Sequence, residues 1–479
     1  MTDEQKKENT ITFEEETPVT STHDIIVNGE TIHYTATAGR LPLKNEKDEI
    51  QAQIFFTAYT KNDVDATSRP LIFSFNGGPG SASIWLHMGA LGPKRVVMEP
   101  EGWMPKPPFQ VEDNPHTLLD LADIVFIDPV GTGYSRALDE EKSKTYWNLK
   151  GDIESMGQFI QLYLTRYGRW QSPLFLAGES YGTTRSAGLA GHLIDKGVAF
   201  NGILLISTVL NFQTILFGRG NDLPHMLYIP TFAATAWYHG KLAKDLQEKS
   251  LSELISEVEE WSISDYWVAL ARGDSLDDRT TTRIARKLAR YTGLSEKYVR
   301  QAKLRPEIMH FIQELRREDG ITVGRLDSRF DGHASALAIS EYPEFDPSMT
   351  DITPPYTSVF NQYVRQALGY ESDLQYNVLS YDVFGAWEWD RGRYPDTSDA
   401  LRSALAKNPH MHIYVGQGYY DLATPHFGAL YTLNHMDMNP RVKDNIHIEY
   451  YEAGHMYYLH TEELAKFKAD VVRLFEKAL

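Results

Sequence analysis

The chain has 479 residues, 42% of them hydrophobic and 23% charged, with 65 acidic against 47 basic side chains and a formal net charge of −18. That length exceeds a single minimal core and predicts two domains, or one large domain with an insertion. The acidity argues against non-specific binding to nucleic acid or an anionic membrane, and the absence of cysteine excludes disulfides, thiolate zinc sites and a cysteine nucleophile.

Residues 1–22 are polar and acidic and are expected to be a disordered tail. They lack the apolar centre of a signal peptide, and no run of ~18 apolar residues follows anywhere. Together with the missing cysteines this predicts a soluble, cytoplasmic chain, export of a trimmed precursor being the alternative. "IIVNGETIHY" sets Asn28-Gly29 between two alternating runs, a hairpin signal, and "IQAQIFFTAY" reads as a further strand. Short apolar runs bounded by glycine or proline follow at Pro70–Phe75, Ala122–Asp128, Pro173–Ala177, Gly202–Ser207, Met411–Val415 and Ile446–Tyr451. Helical patterns lie between several of them, which predicts an α/β domain whose mainly parallel sheet is covered on both faces.

The rhythm breaks in the middle of the chain. Residues 211–356 read as a helical cap inserted into a core made of 23–210 and 357–479. "SLSELISEVEEW" puts Leu251, Leu254, Ile255, Val258 and Trp261 on one helix face, and Gly273 and Gly293 are plausible helix stops. The arginine-rich stretch after Gly273 is interleaved with acidic residues and reads as a solvated face rather than a nucleic-acid patch. Leu464, Phe467, Val471 and Leu474 recur at helical spacing in a last helix, Thr461 to Leu479.

Gly178-Glu179-Ser180-Tyr181-Gly182 falls where a strand ends and a helix begins. That context is what a nucleophile elbow requires, with the Tyr181 amide aimed at the space above the Ser180 hydroxyl. A Ser-Gly turn made for packing alone fits the same five residues. A serine nucleophile needs a base, and the base needs an acid to hold its tautomer. In open α/β sheets these follow as acid, then histidine. Asp421 in "GQGYYDLATP" and His455 in "EYYEAGHM" stand in that order, each just past a strand. Asp421 could instead be a helix N-cap, and His455 a loop histidine or a metal partner of His460. No His-Glu-x-x-His and no third ligand supports a metal. A further oxyanion donor is offered by the strand-terminal loop Asn76-Gly77-Gly78-Pro79-Gly80, whose glycines allow close backbone approach.

The segments "NGGPGSAS", "IDPVGTGYS", "GESYG" and "EAGHM", in this order, together resemble the serine carboxypeptidase family, from about Phe75 to His455. The resemblance implies the α/β-hydrolase fold, Ser180 as nucleophile, His455 as general base and Asp421 as its orienting acid. It implies an oxyanion hole of the Gly78 and Tyr181 amides, with Asn76 and Glu179 binding the substrate's terminal carboxylate. Glu179 could equally be a structural acid bonded to loop amides. A carboxylic acid donates to a carboxylate only when protonated, so activity is expected to favour mildly acidic pH. Three positions depart from the family: Ala90 stands in place of a carboxylate-binding glutamate, Ser74 in place of a tryptophan and Ser81 in place of a cysteine. A carboxypeptidase acting on peptides is therefore expected, with no cofactor, no nucleic-acid or membrane partner, and an open oligomeric state that includes a homodimer. An esterase or acyltransferase using the same residues is the second expectation, and a non-catalytic binding protein the third.

Overall fold

The computed structural model describes residues 14–334, 342–389 and 392–479. Asn28 and Gly29 take positive φ values of 51° and 82°, forming the tight turn that joins strand β1, Val19–Val27, to β2, Glu30–Lys44. β1 begins inside the stretch expected to be disordered. It pairs with β2 from Val19 to Val27, and Glu16, just before it, forms an ion pair with Arg40 at 2.6 Å. Residues 1–13 of the expected tail lie outside the described residues.

The sheet continues with β3 (Ile50–Lys61), β4 (Leu71–Phe75), β5 (Asp123–Ile127), β6 (Leu174–Ser180), β7 (Gly202–Thr208), β8 (His412–Gly418) and β9 (Ile446–Tyr451). Their spatial order is β1-β2-β3-β5-β4-β6-β7-β8-β9. The first three strands are antiparallel to their neighbours, and from β5 to β9 every pairing is parallel. The inner parallel strands β4 to β7 bury both faces, which is why their sequences read as apolar runs, whereas the edge strand β9 is half-buried up to Tyr451. Ile72, Ile124, Phe175 and Leu204 face one core; Phe73, Val125, Leu176 and Leu205 face the other.

Helices α1 (Leu149–Arg166) and α2 (Tyr181–Ile194) cover the second of these faces through Phe159, Tyr163, Leu189 and Leu193. The helical block has its own core. It includes α3 (Ile229–Tyr238), α4 (Leu251–Trp261) and α5 (Asp278–Thr292), and Leu422 and Phe427 from the segment after β8 pack into it. α4 starts with a reciprocal Ser250–Glu253 capping box, and its five expected apolar positions are buried. Gly293 ends α5 in the left-handed conformation, at φ 71°. The boundary expected at residue 356 falls inside a helix: α6, Pro347–Gln366, runs through Pro354 and Pro355. Its Ile352, Tyr356, Phe360 and Val364 pack on the first face of the sheet, where α7, Thr461–Ala478, adds Leu464, Phe467, Val471 and Leu474. This is the α/β-hydrolase architecture, with its strand ends gathered along one edge. Among the described residues no helix is long and apolar enough to cross a membrane.

Candidate active site

Ser180 ends β6 with φ 60° and ψ −130°, a conformation that costs a non-glycine residue about 1–3 kcal/mol and that surrounding packing must enforce. The enforcement is visible at the flanking glycines. A Cβ at Gly178 would lie 2.2 Å from the Gly182 carbonyl oxygen, and one at Gly182 would lie 2.9 Å from the Phe75 oxygen. Strand, turn and helix therefore meet at van der Waals limits, and the corner cannot relax. The neighbouring loop is equally tight: a Cβ at Gly77 would lie 2.5 Å from the Tyr181 nitrogen. Gly78, at φ 102°, follows in a conformation open to glycine. Tyr181 is the first residue of α2, so its amide has no carbonyl one turn behind it to bond. Beneath this corner Arg185 is fully buried. It pairs with Asp152 at 2.8 Å, donates to the Asn76 carbonyl at 2.7 Å, and shares Asp152 with the Tyr181 hydroxyl, tying elbow to glycine loop.

The acid and the imidazole are joined directly. His455 Nδ1 donates to Asp421 Oδ2 at 2.7 Å, which leaves Nε2 as the ring's other functional atom. Asp421 is fully buried and saturated with donors: the amides of Ala423 and Thr424 reach Oδ1 at 2.7 and 2.9 Å, and the Thr424 hydroxyl reaches Oδ2 at 2.7 Å. These bonds close a side-chain turn and not the helix N-cap that the sequence also offered, since the next helix, His426–Asn434, starts after Pro425. Burial works to lower the pKa of His455, but the Asp421 charge and hydrogen bond, with help from Glu179, raise it above the usual value. The loop bearing His455 is pinned by contacts that the sequence did not announce. Its amide donates to the Leu326 carbonyl at 2.6 Å, its carbonyl accepts from the Ser207 hydroxyl at 2.5 Å, and the Gly454 amide donates to Asp327 at 2.9 Å. Of these helpers only Thr424 had a local signal, three residues after an aspartate in the manner of a side-chain turn.

Glu179 is buried, one residue before the elbow serine. Asn76 Nδ2 donates to its Oε1 at 3.0 Å and the Tyr458 hydroxyl to its Oε2 at 2.5 Å. Burial raises its pKa to about 7, and His455 and these two hydrogen bonds pull the other way. The acid is thus poised to carry a proton in mildly acidic solution before any substrate arrives. Ala90 is buried among apolar groups and adds no acid here. Ser81 accepts from the Trp85 indole at 2.9 Å, while the buried Ser74 hydroxyl has no hydrogen-bond partner.

A cavity of about 680 Å³ opens onto this assembly. Asn76, Gly78, Glu179, Ser180, Tyr181 and His455 all line it, and Asp421 sits behind the imidazole, so the seven residues singled out in the sequence converge. The remaining wall is mostly apolar, with Phe212, Leu216, Met309, Ile352 and Phe384 from both the sheet domain and the helical block. Among the described residues no group of three or more His, Cys, Asp or Glu side chains stands where it could hold a metal, and His460 is not drawn into the His455 pair.

The family described as "Serine carboxypeptidase" matches residues 29–468. The chain belongs to the serine carboxypeptidase family. Individual relatives are more distant. "Pheromone-processing carboxypeptidase KEX1" of Saccharomyces cerevisiae is 30% identical over 156 residues, 30% of this chain and 20% of that protein. "Serine carboxypeptidase-like 33" of Arabidopsis thaliana is 25% identical over 231 residues, 46% of this chain and 43% of that protein. The chain thus spans less than half the length of these curated relatives. Among solved structures, a thermostable carboxyl esterase from Bacillus coagulans aligns with 91% of this chain and 99% of its own at 12% identity and a TM-score of 0.38. The thioesterase domain from the curacin biosynthetic pathway gives 0.37 at 11% identity, with 91% of this chain and 99% of that one covered. Membership of the serine carboxypeptidase family supports a serine hydrolase of the peptidase kind.

Proposed function

We propose that this chain is a serine-type carboxypeptidase that releases C-terminal residues from peptides through an acyl-enzyme. Ser180 Oγ bonds to the scissile carbonyl carbon while His455 Nε2 takes its proton; the imidazolium returns that proton to the leaving amine as the C–N bond breaks. Water, deprotonated by the same imidazole, then bonds to the acyl carbon, and the bond to Ser180 Oγ breaks as the imidazolium returns the proton to that oxygen. Asp421 holds the imidazole in the tautomer that leaves Nε2 free and stabilises the positive charge that develops. The Gly78 and Tyr181 amides receive the oxyanion, each worth on the order of a hundred- to a thousand-fold in turnover. Asn76 and protonated Glu179 donate to the terminal carboxylate of the substrate.

The observation that carries this reading is the strained Ser180 backbone in a cavity shared with His455, whose imidazole is fixed to buried Asp421. The Asn76–Glu179 pair beside it supports recognition of a free C-terminus. A blocked dipeptide offered as free acid, amide and methyl ester from pH 5 to 9 tests it. The free acid should be preferred below about pH 7, and its kcat/KM relative to the amide should fall about tenfold per pH unit above, as Glu179 ionises. Equal ratios across the range contradict it. Ala90, which leaves the site one acid short, favours a second reading: an esterase or acyltransferase indifferent to the carboxylate, for which the ester would lead at every pH.

A further inference from the structure

Among the described residues, Arg325 is the one lysine or arginine lining the Ser180 cavity. Its backbone is held on both sides: its amide donates to Asp346 Oδ1 at 3.1 Å, and its carbonyl accepts from the Leu422 amide at 3.1 Å. The next residue, Leu326, carries the carbonyl that accepts the His455 amide. The guanidinium, by contrast, has no hydrogen bond or ion pair among the described residues. The acid closest in sequence is already committed, since Asp327 binds Arg329 at 2.6 Å and the Gly454 amide at 2.9 Å.

Guanidinium groups carry five donors in a planar fork matched to carboxylates, and a largely apolar wall strengthens any charge interaction made against it. A half-buried, uncommitted fork on a rigid loop in a catalytic cavity is built to meet an anion. Its place in the cavity indicates which one. The Arg325 charge acts on His455 and on Tyr228, whose hydroxyl donates to the Ala423 carbonyl at 3.4 Å. The bond from the Leu422 amide sets the Arg325 backbone beside Asp421, and the bond from the His455 amide to Leu326 sets it beside the imidazole loop. Arg325 therefore lines the cavity where the segment after Asp421 and the His455 loop meet.

We propose that Arg325 is a specificity-determining residue that binds the carboxylate of an acidic side chain next to the scissile bond, so that peptides carrying Asp or Glu there are the preferred substrates. This rests on the reading of Ser180 and His455 as the catalytic pair, and deepens it by naming a substrate class.

The test compares Glu with its neutral isostere Gln in blocked dipeptides, once in the residue before the scissile bond and once in the residue after it, with leucine as the other residue. The same Glu/Gln comparison is made in N-acyl amino-acid esters. The intact protein should favour Glu by about tenfold or more in kcat/KM at one of the two positions, as a charge-assisted contact provides. Arg325→Gln should bring the Glu/Gln ratio to one or below, and Arg325→Lys should retain part of it. Labelling of Ser180 by a fluorophosphonate reports whether each variant is folded. No preference for Glu at either position overturns the proposal, as does a ratio that Arg325→Gln leaves intact. A loss confined to the free-acid over amide preference would assign Arg325 to the terminal carboxylate and overturn it too. Failure of every peptide, with the Glu preference surviving in esters, would sink the carboxypeptidase reading and leave the role of Arg325 standing.

Discussion

At the scale of single residues, the account depends on what the surroundings do to ordinary side chains. Glu179 is a glutamate whose burial brings its pKa to about 7, and the Tyr458 hydroxyl is one of the groups holding it from going higher. Tyr458→Phe removes that donor and keeps the ring, so the carboxyl should hold its proton to a higher pH. In the variant, the pH at which the free-acid preference over the amide falls to half should move up; an unchanged or lower midpoint would show that Glu179 does not govern it. Asp128 is a second buried carboxyl. Burial raises it to about 7 against the Ser83 amide, which donates to its Oδ1 at 2.8 Å. The unfolded chain releases this proton near pH 4, whereas the folded one keeps it until about 7. Stability is therefore lost as pH rises through that window, and none of the loss applies to a neutral amide. Asp128→Asn should gain stability relative to the parent protein between pH 5 and pH 8, by up to about 3 kcal/mol, since the first part of the shift is already lost below pH 5. Paired denaturant melts at the two pH values measure the gap, and a constant gap contradicts the assignment.

At the scale of elements, the strand–elbow–helix unit is the part on which the site is built. A Cβ at Gly178 would collide with the backbone of Gly182, at 2.2 Å from its oxygen and 2.5 Å from its carbonyl carbon, whereas one at Gly385, within the helix Tyr381–Ala386, meets nothing within 4 Å. Gly178→Ala should lose folded protein or strongly lower its melting temperature, while Gly385→Ala should hold it or raise it slightly. Similar melting temperatures for the two would mean that the elbow is not under packing constraint. This unit was legible because its signal is local: glycines two residues either side of a serine, between an apolar run and a helix. The same holds for α4, where five apolar residues at helical spacing follow a Ser-x-x-Glu box. Only the end of β1 was legible, as the first arm of the Asn28-Gly29 hairpin; its start reads as polar tail because no residue of "VTSTHDIIV" before Ile25 is buried. The end of the helical insertion was hidden as well: α6 continues through a Pro-Pro pair and turns its apolar face to the sheet rather than to the helical block. The supporting contacts of His455 were invisible for a further reason. Ser207 reaches it across 248 positions of chain, and no local pattern encodes such a meeting.

At the scale of the whole molecule, the parallel half of the sheet delivers its strand ends to one edge, where β4 supplies the glycine loop, β6 the serine, β8 the aspartate and β9 the histidine. The helical block closes over that edge through Ile308 and Met309, and its core is continuous with Leu422 beside Asp421. The central claim is that this convergence makes Ser180 a nucleophile activated by His455. Treatment with a fluorophosphonate, followed by peptide mapping of the adduct, tests it most directly. The account predicts one phosphonyl group on Ser180, none in Ser180→Ala, and labelling of His455→Ala slowed by about three orders of magnitude or more. No adduct on the intact protein, or an adduct that persists at the same rate without the imidazole, would contradict it.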